Sequence, residues 1–156
     1  MKSLTPLAEH NLWANQLVLE ACSELTSNQL EDDSHGYGSV IELLSHLVQV
    51  EHAFFELAHA RTPNQIEFKS LDELRDTCLA IDQAYVDYVG DLQPGKAETV
   101  RFLVPWFGFE ITLLEGVLQP LTHSHKHRSD VSMILPHLGG AGVEMDLIQW
   151  IAQTKV

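Results

Sequence analysis

The chain has 156 residues, 45% of them hydrophobic, and its 9 basic and 22 acidic side chains give a formal charge of −13. That length suits one domain, 1–156, with a substantial core, and the apolar fraction excludes disorder. The charge excludes nucleic-acid binding through a basic face and adhesion to an anionic membrane surface. No apolar run approaches the roughly 18 residues of a membrane span, and the opening MKSLTPLAEH has no apolar leader core. Cys22 and Cys78 fall at core-like helical positions, as expected for reduced thiols in a cytoplasmic protein.

Thr5-Pro6 opens the first predicted helix, with threonine as a favoured N-cap and proline tolerated at the first helical position. Leu7, Asn11, Ala14, Val18, Ala21 and Leu25 recur with helical period and mark its inner face. Leu12, Trp13 and Leu19 fall away from that face. They form a second apolar surface for another helix or for a homodimer interface. Ser27-Asn28 and residues 31–38 are rich in turn formers and read as loop.

Ser39-Val40-Ile41-Glu42 is a capping box that starts a second helix running to about Ala60. Val40, Leu43, Leu44, Leu47, Phe54 and Ala58 make its core face, with His46 at one edge. His52 and His59 lie on another flank and read as solvated. Glu51 falls in the middle of the apolar face, where an ionised carboxylate must find a partner or shift its pKa. Arg128 and Asn15 are the candidate partners; a rotation of the helix that exposes Glu51 is the alternative.

Ser70-Leu71-Asp72-Glu73 is a second capping box, followed by Leu71, Leu74, Cys78, Tyr85, Val89 and Leu92 at helical spacing, until Gln93-Pro94-Gly95 stops the helix. Residues 99–112 break the pattern with β-branched and aromatic residues interrupted by Pro105 and Gly108, which predicts a short β-hairpin. General burial tendency favours plain core for its aromatics, with a pocket wall as the alternative; in that case Trp106 and Phe107 are the substrate-contact candidates.

Thr112-Leu113-Leu114-Glu115 is a third capping box and opens the helix that carries three histidines in five residues, His123, His125 and His127. At about 100° per residue, His123 and His127 share a face and His125 points nearly opposite. A histidine pair at this spacing is a bidentate metal clamp; the alternative is a solvated basic cluster. His127 falls close to the stripe of Leu113, Val117, Leu121, Ser124, Val131 and Leu135, and His123 at its edge. Pro120 removes the hydrogen bond to the Gly116 carbonyl, so a kink is expected before the pair. Pro136 and Gly139-Gly140 end this helix, and Val143, Leu147, Ile148, Trp150 and Ile151 suggest a short last one. The predicted architecture is all-α: an up-down four-helix bundle with a β-hairpin between helices 3 and 4 and a short C-terminal helix. His46, with His123 and His127, then supplies three ligands from two helices and leaves a coordination position open, as in catalytic zinc or nickel sites.

Trp13-Ala14-Asn15, Gly38-Ser39-Val40 leading to His46-Leu47 and Glu51, and His123-Ser124-His125-Lys126-His127-Arg128 follow in the order of a known pattern. With Leu138-Gly139 and Asp146-Leu147-Ile148 they make nearly the whole chain resemble the DinB/YfiT-like family of metal-binding four-helix bundles. The chain departs from that pattern at Thr122, in place of asparagine, at Ser129-Asp130, in place of Gly-Gln, and at Pro120. The resemblance implies His46, His123 and His127 as the metal triad, with Glu51 and Arg128 behind it. It also implies a divalent transition metal, zinc or nickel, and transfer of a small-molecule thiol such as bacillithiol to an electrophile, or mycothiol-assisted isomerisation. A metal-dependent hydrolase and a non-catalytic metal-binding stress-response protein are the alternatives. Plain metal buffering by histidines would use His125 as well.

Overall fold

Hydroxyl caps fix where three of the four long helices begin. The structure, a computed structural model, describes residues 4–155. In chain order its helices are α1 (Thr5–Cys22), α2 (Ser27–Leu30), α3 (Val40–Ala58), α4 (Leu71–Asp91), α5 (Pro94–Thr99), α6 (Leu113–Ile134) and α7 (Leu147–Thr154). Strands β1 (Arg101–Val104) and β2 (Phe109–Thr112) separate α5 from α6. Ser39, Ser70 and Thr112 each accept a hydrogen bond from the backbone N–H three residues on, and so cap α3, α4 and α6. Glu42 and Glu115 return the bond and complete their boxes. Glu73 does not: its carboxylate accepts from the N–H of Lys69 instead, one residue before the cap. Leu4, not Thr5, takes the cap position of α1, and Thr5-Pro6 become its first helical residues.

The fold is the expected all-α, up-down four-helix bundle with its hairpin and short last helix. α1 and α3 each pack on both α4 and α6, which places α1 across the core from α3. Two short helices escape the sequence pattern because each is about one turn long. Thr26 and Gln29 form a capping box around α2, and Pro94, which stops α4, serves as an opening residue of α5. α6 passes through Pro120 as one helix.

The apolar core falls into two sets. One holds Val18, Leu19 and Cys22 of α1, Leu44, Leu47 and Val48 of α3, and Val131 and Ile134 of α6. The other holds Ala8, Val89, Leu113, Val117 and Leu121. A buried polar layer, described below, lies between them along α4 and α6. Leu19 belongs to the core, and Trp13 packs against it and beside the His10 ring. α7 also rests on α1. Much of the second apolar surface read from α1 is thus used within the chain. His52 and His59 are half-buried rather than solvated: His52 meets Asn64 Oδ1 at 3.2 Å, and His59 lies against the rings of Phe55 and Tyr88.

The hairpin is antiparallel, with Arg101 opposite Thr112 and Val104 opposite Phe109. Gly108 closes its turn at φ +72°, a left-handed conformation that strains other residues. Gly116 of α6 lets the hairpin approach, since a Cβ there would run into the Phe102 ring. The hairpin aromatics are not core as burial tendency suggested. Val104 is 1% exposed, but Trp106, Phe107 and Phe109 are 51%, 63% and 54% exposed. A two-stranded ribbon has one face to give to the bundle, and its turn projects past that face. Among the described residues no helix is long and apolar enough to cross a membrane.

Candidate metal centre

The caps of α3 and α6 set the register that brings His46, His123 and His127 together. Fixing Ser39 turns Leu44, Leu47 and Val48 inward and leaves His46 on the exposed flank beside α6. On α6, His123 is half-buried and His127 is buried. The ring centroids lie 4.9 Å apart for His46 and His123, 5.0 Å for His46 and His127, and 4.4 Å for His123 and His127. One nitrogen of each ring falls within 4.8 Å of the other two. The Nε2 atoms of His123 and His127 are 3.2 Å apart. Tetrahedral zinc with nitrogen ligands at about 2.05 Å separates two such nitrogens by about 3.3 Å. The pair therefore already stands at the spacing of two ligands on one ion.

Burial and nearby positive charge favour the neutral form of the His123 and His127 rings. Burial pushes the His123 pKa down to about 4, helped by the positive character of His127, His46 and Lys126. Burial also lowers that of His127, with Lys126 and His46 adding to it and Asp130 opposing. A neutral imidazole offers the lone pair that a cation needs. The Nδ1 atoms of both rings are buried without a hydrogen-bond partner. Asp130 Oδ2 lies 3.5 Å from His127 Nδ1, just beyond hydrogen-bond reach, and accepts from Lys126 Nζ at 3.1 Å. A histidine that binds metal through Nε2 carries its proton on Nδ1 and is oriented by an acceptor there. Asp130 stands where that acceptor belongs. Sequence reading missed it, although its place one turn after His127 was the available signal.

The centre opens on a cavity of about 600 Å³ lined by His46 and His123. Phe54, Trp106 and Phe107 make its aromatic side, so the two hairpin candidates do line a pocket. Phe54 and Trp106 meet edge to face, with centroids 5.8 Å apart at 83°. Gln49, Asn64, Gln65 and Gln119 join the two histidines as its polar lining residues.

Glu51 and Arg128 sit in a separate, buried cluster, whose Asn11 and Arg128 edge a smaller second cavity. Glu51 is 0% exposed and Arg128 1%. Arg128 Nη1 donates to Asn11 Oδ1 at 2.6 Å and to Asn15 Oδ1 at 2.7 Å. The two asparagine amides then donate to Glu51 Oε1, at 2.8 and 3.3 Å, and to both oxygens of Asp82, each at 2.8 Å. Ser124 Oγ adds a bond to Glu51 Oε1 at 2.6 Å. Asn15 and Arg128 were expected beside Glu51, and the arginine reaches it through asparagine amides. Asp82 was missed, though it occupies the apolar face of α4 between Cys78 and Tyr85 much as Glu51 does on α3. None of the described hydrogen bonds of Glu51 or Arg128 goes to a triad histidine.

Glu51, Cys78 and Asp82 also lie close enough together to hold an ion. Their chemistry fits one poorly. The asparagine amides already occupy both Asp82 oxygens and Glu51 Oε1, leaving only Glu51 Oε2 unpartnered, Arg128 supplies the positive charge, and burial holds the Cys78 thiol protonated. The three histidines, with ring nitrogens facing one point, fit a transition metal. His125 is exposed and lines a different, smaller cavity with His10 and Asp146, so it takes no part in the centre. Both cysteines are free and buried.

The model of the DinB family matches residues 1–155. The protein named DinB from Bacillus subtilis (strain 168) is 22% identical over 162 aligned positions, which cover 96% of this chain and 94% of that protein. The chain belongs to the DinB family.

Proposed function

We propose that this chain is a divalent-metal-dependent enzyme that joins a low-molecular-weight thiol to an electrophilic small molecule. The observation that carries this reading is the placement of two of three convergent histidines in the wall of a cavity of about 600 Å³ that no cysteine of the chain lines. The thiol must then come from a substrate. A zinc or nickel ion held by the three imidazoles supplies Lewis acidity that lowers the pKa of a thiol brought to it.

The chain's own residues do the positioning. His127, buried and backed by Asp130, is the fixed member, and His123 stands one turn before it. His46 closes the triad from α3, at a distance set by how α3 seats on α6. The Glu51–Arg128 cluster pins that seating, since Ser124 of α6 bonds directly to Glu51 of α3. In the transfer step the thiol proton leaves to solvent, sulfur bonds the electrophilic carbon, and the displaced group departs with its electron pair. Hydrolysis is favoured less, because the lining offers no carboxylate to act as general base.

Metal content tests the reading first. Purified untagged protein should hold about one equivalent of a transition metal. His46→Ala should lose it and His125→Ala should keep it. A panel of thiols with a chlorinated aromatic or an epoxide as acceptor then reads turnover. Protein that takes up neither zinc nor nickel sinks the enzyme reading, and equal loss in both variants would mean diffuse buffering.

A further inference from the structure

The cavity beside the histidines carries information about what it admits. Its volume of about 600 Å³ suits a small organic molecule. No aspartate, glutamate, lysine or arginine lines it among the described residues. In a chain with a formal charge of −13 that is a selective feature, because an anion entering it meets no lysine or arginine in the wall and faces the repulsion of the whole surface. Phe54 and Trp106, set at 83° to one another, form a corner in which a planar ring can lie on one face and meet the other's edge.

The polar atoms of the lining divide into two kinds. Gln49 is spent on structure: its amide donates to the Asn64 carbonyl at 3.0 Å and accepts from the Ile66 N–H at 2.7 Å, tying the 59–70 connection to α3. Asn64 likewise meets His52. The side-chain amides of Gln65 and Gln119 make none of the described hydrogen bonds, and both residues are exposed. Gln119 stands one helical turn before His123 on the same face of α6. A ligand with a neutral hydrogen-bonding substituent finds a donor and an acceptor there.

We infer that this cavity binds an uncharged aromatic molecule carrying a neutral polar group, and that anionic small molecules, including carboxylate-bearing thiols, are not held by its lining. The inference rests on the thiol-transfer reading for its catalytic meaning: the aromatic molecule is then the electrophile, seated with its reactive carbon toward the histidines, and an anionic thiol approaches from outside the lining. As a binding statement it stands alone.

Calorimetric titration of the full chain, after dialysis against a chelator, tests it with two probes of one shape: 2-naphthol, neutral at neutral pH, and 2-naphthoate. Removing metal prevents the carboxylate from binding simply as a metal ligand. The naphthol should bind about tenfold or more tightly than the naphthoate. Trp106→Ala should weaken naphthol about fivefold, and Trp106→Phe should restore most of the loss. Trp106 is half-exposed on the hairpin turn, so neither variant threatens the core. Equal or tighter binding of naphthoate overturns the inference, as does naphthol binding indifferent to Trp106→Ala. Since no metal takes part, failure here leaves the metal-content result standing. Loss of the metal reading likewise leaves the naphthol preference as valid support for this one.

Discussion

The histidine centre lies on α3 and α6, and the Asn11–Glu51–Arg128 cluster shares those two helices while drawing also on α1 and α4. Glu51 follows His46 on α3 by little more than a turn, and Arg128 follows His127 directly. In the cluster, asparagine and serine donors converge on the carboxylates, and the arginine cation stands behind the asparagines. Each side keeps two buried atoms without partners, Nδ1 of His123 and His127 in the centre and Glu51 Oε2 and Arg128 Nε in the cluster, but in the centre imidazole nitrogens crowd together and a cavity of about 600 Å³ opens alongside. A polar group that spends its bonds inside the protein specifies structure; one that keeps lone pairs beside open space is available to a ligand. Adjacent residues such as His127 and Arg128 therefore serve opposite ends, and variants of each should separate into stability effects and binding effects.

The largest effect is expected in the buried cluster. Arg128→Met removes the donor to both asparagine carbonyls and leaves Glu51 and Asp82 without a counter-charge. Denaturant titration should show a loss of about 3–5 kcal/mol. An unchanged midpoint would mean that the cluster does not hold α3 and α6. The pH dependence follows with a definite sign. Burial, then the charge of Glu51, holds the Asp82 carboxyl well above its ordinary value of 3.8. Burial raises that of Glu51 as well, against the bonds from Ser124 and Asn11. With folded values above unfolded ones, the folded chain binds protons more tightly. The contribution of these groups is greatest below the unfolded value and is lost as pH rises through the folded one. Asp82→Asn should flatten that decline, which is at most about 1.4 kcal/mol per pH unit for one group. A variant with the parent's slope would place the titration elsewhere.

Much of this division was legible before any coordinates. The periods of the four long helices, two complete hydroxyl caps and the i, i+4 spacing of His123 and His127 are local signals, and each survived folding. Glu51 on an apolar face announced a buried partner, and Arg128 and Asn15 both belong to its cluster. What escaped depends on distances across the fold. Asp82 carries the same signal as Glu51, but only the approach of α1 to α4 turns it into half of a carboxylate pair. The hairpin aromatics look like core by composition. Their exposure comes from a turn that overhangs the bundle, which no periodicity encodes.

A smaller effect is expected at the seam between the two sides. Asp130 Oδ2 lies 3.5 Å from His127 Nδ1 and also pairs with the exposed Lys126. Asp130→Asn should weaken metal affinity about tenfold, as loss of a partner behind a ligand does. It should leave the denaturation midpoint within about 0.5 kcal/mol, since the residue lies outside the core. Competition with a chromophoric chelator measures the first quantity. If affinity is unchanged, Asp130 is only a surface partner of Lys126, and His127 must be oriented by packing alone.

The smallest expected effect is a null result at the cysteines, and it bears on where the reactive sulfur comes from. Burial pushes the Cys22 thiol up to about 12. At pH 8 that leaves a thiolate fraction of about 10⁻⁴. Cys78 is raised well above its usual value by burial and by Asp82 and Glu51, and it donates to Asp82 Oδ2 at 3.7 Å. Ionising Cys78 would place negative charge beside two buried carboxyl groups that share one arginine, so the cluster suppresses this sulfur. The folded protein should therefore give no fast reaction with an aromatic disulfide reagent at pH 8, and urea should release both thiols. A fast native thiol would mean that the chain carries its own nucleophile and would remove the need for a substrate sulfur at the histidines. A silent one is the outcome the proposed thiol transfer requires, since it keeps both sulfurs of the chain out of the cavity beside the histidines.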